Sequence, residues 1–114
     1  MNWAEFVAEL VPTPATIIGE AYSGSGAYGD VFAAAASITP CVVENTRRRV
    51  RSQTQDAAGA EVISETTVFC PPGTVLPPGS RVTLPSGRVT RVIVASELTA
   101  AGWDLPEHVE LNLE

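Results

Sequence analysis

His108 is the only imidazole in the chain, and the acids nearest to it in sequence are Glu107 and Glu110. A poised acid–base centre needs convergent groups, yet no Gly-x-Ser-x-Gly elbow, Cys-His pattern or HExxH accompanies it, so a surface or turn histidine is the simpler reading. Cys41 and Cys70 come face to face if a hairpin centres near Gln55 and Asp56, which would allow a disulfide or redox pair. Without an export signal the pair is expected as two reduced, partly buried thiols. Two cysteines and one histidine cannot build the usual four-ligand zinc site, so no metal site is expected. Glu61 and Glu65 fall on one strand face at a spacing of roughly 13 Å, too far apart for a glycosidase pair. The letters Gly24-Ser-Gly-Ala-Tyr-Gly29 match a phosphate-binding GxGxxG, but they follow no buried strand and open no amphipathic helix, so a flexible loop is expected. No catalytic residue and no cofactor are assigned, and an enzyme is the weakest reading.

The sharpest local feature is Arg47, Arg48, Arg49 and Arg51 in a chain with seven arginines, no lysine and thirteen carboxylates, a net charge of −6. That field opposes general binding to a polyphosphate. On a strand, Arg47, Arg49 and Arg51 point one way and Arg48 the other, so a strand charged on both faces should project beyond the core. Such charges protect an edge, or else their guanidinium forks bind a neighbour's carboxylates as a subunit interface.

The elements that position these groups can be read in order. Trp3, Phe6, Val7 and Leu10 form one apolar stripe on a helix over residues 2–10. Asn2 and Glu5 make a capping-box start, and Pro12 with Pro14 enforces the stop. The stripe either caps the chain's own barrel or docks on a partner. Strand-like runs follow: 15–18, then 41–51 opened by Pro40, then 61–70. Residues 21–30 read as a loop or hairpin tip, and 52–60 as a long hairpin loop. Three proline–glycine punctuators at 71–73, 77–79 and 85–87 leave room only for short strands. A hairpin spans 81–97, one helical turn could run over 97–102, and 108–113 alternates strictly as a strand. The expected fold is one domain, 1–114. It is mainly β: a small barrel or sandwich of six or seven short strands over 15–113, with a long projecting hairpin loop and one short N-terminal helix. No apolar run is long enough for a membrane helix.

The runs GAYGDVF at 26–32, ISETTVF at 63–69 continuing into CPPG at 70–73, PGSRVTLPSG at 78–87 and LPEHVEL at 105–111 form an ordered series. The series resembles the head-to-tail stopper proteins of long-tailed, siphovirus-type bacteriophages, also called head-closure or head-completion proteins. The resemblance covers about residues 15–113. It implies a homo-oligomeric ring in the virion neck, assembled in the bacterial cytoplasm below portal and adaptor. Its loops would close the DNA channel after packaging, contacting DNA non-specifically, and the ring would receive the tail terminator and tail tube. On this reading the channel-gating loop is Ser52, Gln53, Thr54, Gln55, Asp56, Ala57, Ala58 and Gly59, with 23–29 as a second mobile loop. A tail terminator or other neck protein is the near alternative. A small β-barrel binding nucleic acid or peptide is the alternative of another class; it needs an aromatic platform beside the arginines, for which Tyr22, Tyr28, Phe32 and Phe69 are the candidates.

Overall fold

The computed structural model describes residues 2–26, 29–54, 58–98 and 107–114. Among these, one helix, α1 (Trp3–Leu10), precedes ten strands: β1 (Ala15–Glu20), β2 (Tyr22–Gly26), β3 (Gly29–Phe32), β4 (Ala36–Glu44), β5 (Arg48–Arg51), β6 (Glu61–Ser64), β7 (Thr66–Cys70), β8 (Arg81–Thr83), β9 (Val89–Leu98) and β10 (His108–Leu113). Six of them close an antiparallel barrel in the order β1-β4-β7-β10-β9-β8, and β2-β3 and β5-β6 form separate two-stranded ribbons. The chain is therefore a small β-barrel with a short N-terminal helix.

Inward positions follow the two-residue period of each strand. Ile17, Cys41, Val68, Cys70, Val82, Val92, Val109, Leu111 and Leu113 fill the interior, with Leu76 and Leu84 closing it. Gly19 of β1 is the small residue opposite Leu76: a Cβ there would lie 2.9 Å from both Leu76 methyls and 3.0 Å from Ile38 Cδ1. Among the described residues, the hydrophobic core draws none from either ribbon.

The proline–glycine turns form as their chemistry dictates. Thr74 N–H donates to Pro71 O and Ser80 N–H to Pro77 O, with Gly73 and Gly79 at φ of 85° and 95° in the third turn position. Gly87 N–H closes on Leu84 O, and Val82 pairs with Thr90 across that hairpin.

Several expected boundaries move. The run 61–70 is two strands, because Glu65 breaks it: Glu65 N–H donates to Leu113 O of β10. Pro40 does not open its strand but sits within β4. The β1–β4 register shifts between Ala15 and Ile17, which places the residue without an N–H beside an irregular step of the ladder. The loop or hairpin tip expected over 21–30 is a paired hairpin ribbon over Tyr22–Gly26 and Gly29–Phe32; 27–28 lie outside the described residues. The helical turn expected over 97–102 gives way at Glu97 and Leu98, which pair with Val109 and His108 as the end of β9; 99–102 lie outside the described residues.

Candidate functional site

The long hairpin passes from the barrel into its ribbon through a break in each strand, at 45–47 and at Glu65. Glu44 pairs with Thr67 in the β4–β7 ladder, and Arg48 pairs with Ser64 in the β5–β6 ladder. The step from 44 to 48 is one residue longer than that from 67 to 64, and a surplus residue bends a ribbon out of its parent sheet. The ribbon is then tied back by its loop end. Gln53 N–H donates to Ile93 O at 3.0 Å, and Ala95 N–H to Gln53 Oε1 at 3.2 Å. Ser52 is buried and its hydroxyl lies 2.9 Å from that of Thr54. Ser52 N–H donates to Ala60 O, and Gly59 N–H to Ser52 O. Of the eight residues expected in a gating loop, Gln53 is thus anchored on β9, Ser52 is bonded within the hairpin to Thr54, Gly59 and Ala60, and Ala58 and Gly59 are exposed. Gln55, Asp56 and Ala57 lie outside the described residues.

The arginines divide as the strand period requires. Arg48 turns towards the barrel, 3.1 Å from Glu44 and 3.7 Å from Glu110 of β10. Arg47, just before β5, and Arg49 point outward to Glu65 at 3.0 Å and Glu61 at 3.4 Å. Glu61 and Glu65 therefore serve two separate ion pairs. The side chains of Arg47 and Arg49 are 77% and 81% exposed, so each pair contributes between zero and about 1 kcal/mol. Contacts this weak can be exchanged for a neighbour's carboxylates at little cost. Arg51 is exposed at the end of β5. The hydrogen bond from Thr46 and the Arg48 guanidinium hold the Glu44 carboxyl below its ordinary value.

The helical stripe is split. Asn2 caps α1, its Oδ1 accepting from Glu5 N–H at 2.8 Å while its amide donates to Glu5 Oε1 at 3.2 Å. Trp3 and Val7 are buried against the chain's own barrel, and Trp3 Nε1–H donates to Pro40 O at 2.8 Å. That leaves Phe6, half-buried, and Leu10, 63% exposed, as the part of the stripe a partner can reach. His108 is neither in a turn nor fully on the surface. It is half-buried at the start of β10, stacked on Trp3 at 5.5 Å and edge-on to Phe69 at 5.7 Å. Trp3, Phe6, Val11, Val42, Phe69 and His108 line an apolar pocket of about 250 Å³.

A third cluster was not anticipated. Arg81 and Arg91 pair directly across β8 and β9, a like-charge arrangement that is unfavourable by itself. Phe32 at the end of β3 offsets it, its ring centroid 4.3 Å from the Arg81 guanidinium and 5.0 Å from that of Arg91. Glu20 pairs with Arg81 at 3.4 Å and Asp30 with Arg91 at 3.0 Å. Tyr22 meets Phe32 edge-on at 6.1 Å, so the clamp fastens the base of the β2–β3 ribbon. The sequence did hold a signal: 81 and 91 are equidistant from the centre of the turn at 85–87.

Cys41 and Cys70 are free, fully buried thiols of the same core cluster, on the adjacent strands β4 and β7. Among the described residues no three His, Cys, Asp or Glu side chains are grouped to hold a metal, and no helix is long and apolar enough to cross a membrane. No family model, curated protein or solved structure matches the chain.

Proposed function

We propose that the chain is a structural subunit of a phage head-to-tail connector: a ring below portal and adaptor that closes the DNA channel after packaging and offers a platform to the tail. One observation carries the reading. The chain combines a closed barrel with a separate hairpin ribbon that adds nothing to the barrel core yet bears, on and beside its first strand, four of the seven arginines. A rigid body with an appended charged hairpin suits a subunit that contacts copies of itself on one face and a channel on another. The ordered series of segments between residues 15 and 113 adds to it.

In this role Arg47, Arg49 and Arg51 exchange weak pairs within the chain for carboxylates of the adjacent subunit. Phe6 and Leu10 face the adaptor or the tail terminator. The loop from Thr54 to Gly59, held at its root by Gln53, is the segment nearest the DNA. The ring belongs in the virion neck after assembly in the host cytoplasm. The binding-module alternative is less well supported, because its candidate platform is engaged elsewhere. Phe69 packs on His108, Phe32 lies beneath Arg81 and Arg91, and Tyr22 packs on Phe32. Tyr28 lies outside the described residues.

Mass measurement in solution, alone and with a portal–adaptor complex from the same source, tests the proposal. The expected result is stoichiometric capture into a closed ring on the complex. Reversing Arg47, Arg49 and Arg51 to glutamate should abolish that capture while leaving the barrel folded. A monomer that ignores the complex and retains an oligonucleotide at physiological salt would replace the connector reading with the binding module.

A further inference from the structure

We propose that Cys41 and Cys70 form an intramolecular, cross-strand disulfide that the closed barrel accommodates, made by exchange with a low-molecular-weight disulfide while the thiols are exposed as the chain folds. The inference is independent of the connector reading. Val42 pairs with Phe69 and Val43 with Val68, and one step back along the same ladder sets Cys41 opposite Cys70. Both side chains point into the barrel and are fully buried, with the Cys41 thiol donating to Ile38 O at 3.3 Å. Directly opposed residues of an antiparallel pair have Cα atoms about 4.5 or 5.5 Å apart, and both values lie in the range a disulfide spans. The bond therefore asks for rotation about side-chain bonds and no movement of either strand. Each cysteine is fixed on its far side as well, Cys41 by its pairing with Ala15 of β1 and Cys70 by its pairing with Val109 of β10.

The two thiols are not equivalent. The hydrogen bond to Cys41, together with burial, pushes the Cys70 thiol well above its ordinary value. The same pairing draws Cys41 down in spite of its burial. Exchange begins in the open chain, where either thiolate can attack. With Cys41 first, its proton passes to solvent, its sulfur attacks one sulfur of the reagent, and the reagent's S–S bond breaks with departure of a thiolate. The Cys70 sulfur then loses its proton and attacks the Cys41 sulfur of the mixed disulfide, expelling the second thiolate. Two protein thiols are oxidised by two electrons, and the reagent is reduced to two thiols that take up the two protons. The new bond closes the 28 residues from 42 to 69 into a loop, and so ties together the root of the hairpin that carries β5, β6 and the candidate gate.

The test is equilibrium refolding of the full chain through a glutathione buffer at an oxidising ratio, where both thiols are accessible before the barrel closes. Acid quench, alkylation in denaturant and intact mass follow. The expected product is a monomer about 2 Da lighter than the dithiol and refractory to alkylation. It should have an unchanged circular dichroism spectrum and a thermal midpoint raised on the order of 10 °C over the reduced protein. With only two cysteines in the chain the assignment is unambiguous. Cys41→Ser and Cys70→Ser should each lose the 2 Da change, and if either fails to fold, the oxidised and reduced wild-type chains still decide the matter. Two thiols that stay open to alkylation, or an oxidised product that has lost the barrel spectrum, would overturn the proposal.

Discussion

Replacing Trp3 with alanine should detach α1 while leaving the barrel folded. A tryptophan side chain buries about 150–250 Å², worth about 4–6 kcal/mol at 25 cal/mol per Å². Trp3 is 5% exposed and also donates to Pro40 O at 2.8 Å, which adds about 1 kcal/mol. Against this, ordering the eight residues of the helix costs about 1–2 kcal/mol each. An isolated helix of that length does not hold itself together. Val7 is the only other helical side chain that is fully buried, at about 1.5–3 kcal/mol. Burial and ordering entropy are therefore of comparable size, so docking is marginal and deletion of the indole undoes it. The loss of global stability is capped at the net docking free energy, so Trp3→Ala should lose less than about 4 kcal/mol in urea unfolding. Amide exchange should show α1 unprotected and the barrel strands still protected. Trp3→Phe keeps most of the apolar contact, forfeits the hydrogen bond, and should retain the helix at a cost of about 1–2 kcal/mol. Protected α1 amides in Trp3→Ala, or equal damage in the two variants, would refute the reasoning.

Glu44 yields a pH dependence with a definite sign. Its folded-state value lies below the ordinary 4.5, so its stabilising contribution is present above that pH and is lost as the pH falls through the lower folded value. Glu44→Gln should be less stable than wild type at pH 7, with the gap closing between about pH 5 and pH 3 in urea midpoints; a gap independent of pH would count against the Thr46 and Arg48 contacts. Phe32→Ala uncovers the Arg81–Arg91 repulsion and should cost about 1–2 kcal/mol in low salt. Its deficit against wild type should shrink as salt is raised from 0.1 to 1 M and the screening length falls from about 10 to about 3 Å. A deficit insensitive to salt would mean that the ring acts by packing alone.

What the sequence made legible was local. Asn2 and Glu5 announce the start of α1 because capping acts over three residues, and the turns at 71–74, 77–80 and 84–88 form from the backbone preferences of proline and glycine. The alternation at 108–113 names its own buried face. The outward or inward sense of Arg47, Arg48 and Arg49 also followed from a two-residue period. What escaped was set by partners distant in the chain. Glu65 interrupts an unbroken β-rich run because its N–H is taken by Leu113, and no local preference reports that. The Gly- and Ser-rich stretch after Tyr22 becomes a ribbon because Phe32 is gripped by Arg81 and Arg91 some fifty residues on. The helical stripe showed four apolar residues in line but not which were consumed at home. Only the position of Pro40 and of the ring cluster at Phe69 and His108 separates Trp3 and Val7 from Leu10.

Both ribbons lie outside the core cluster, and this divides the molecule energetically as well as spatially. The barrel strands share one buried interior, so none opens without the others. The ribbons are held by fewer fastenings: the Phe32 clamp and the Tyr22 N–H bond to Ser80 Oγ for β2–β3, and the Gln53 bonds, the exposed ion pairs and the buried Ser64 hydroxyl on Leu113 O for β5–β6. Segments held in this way belong to the low rungs of the opening ladder, where backbone amides come free through local excursions far cheaper than global unfolding. A partner can therefore refit either ribbon and draw on only a fraction of the folding free energy, while the body that carries them keeps its shape.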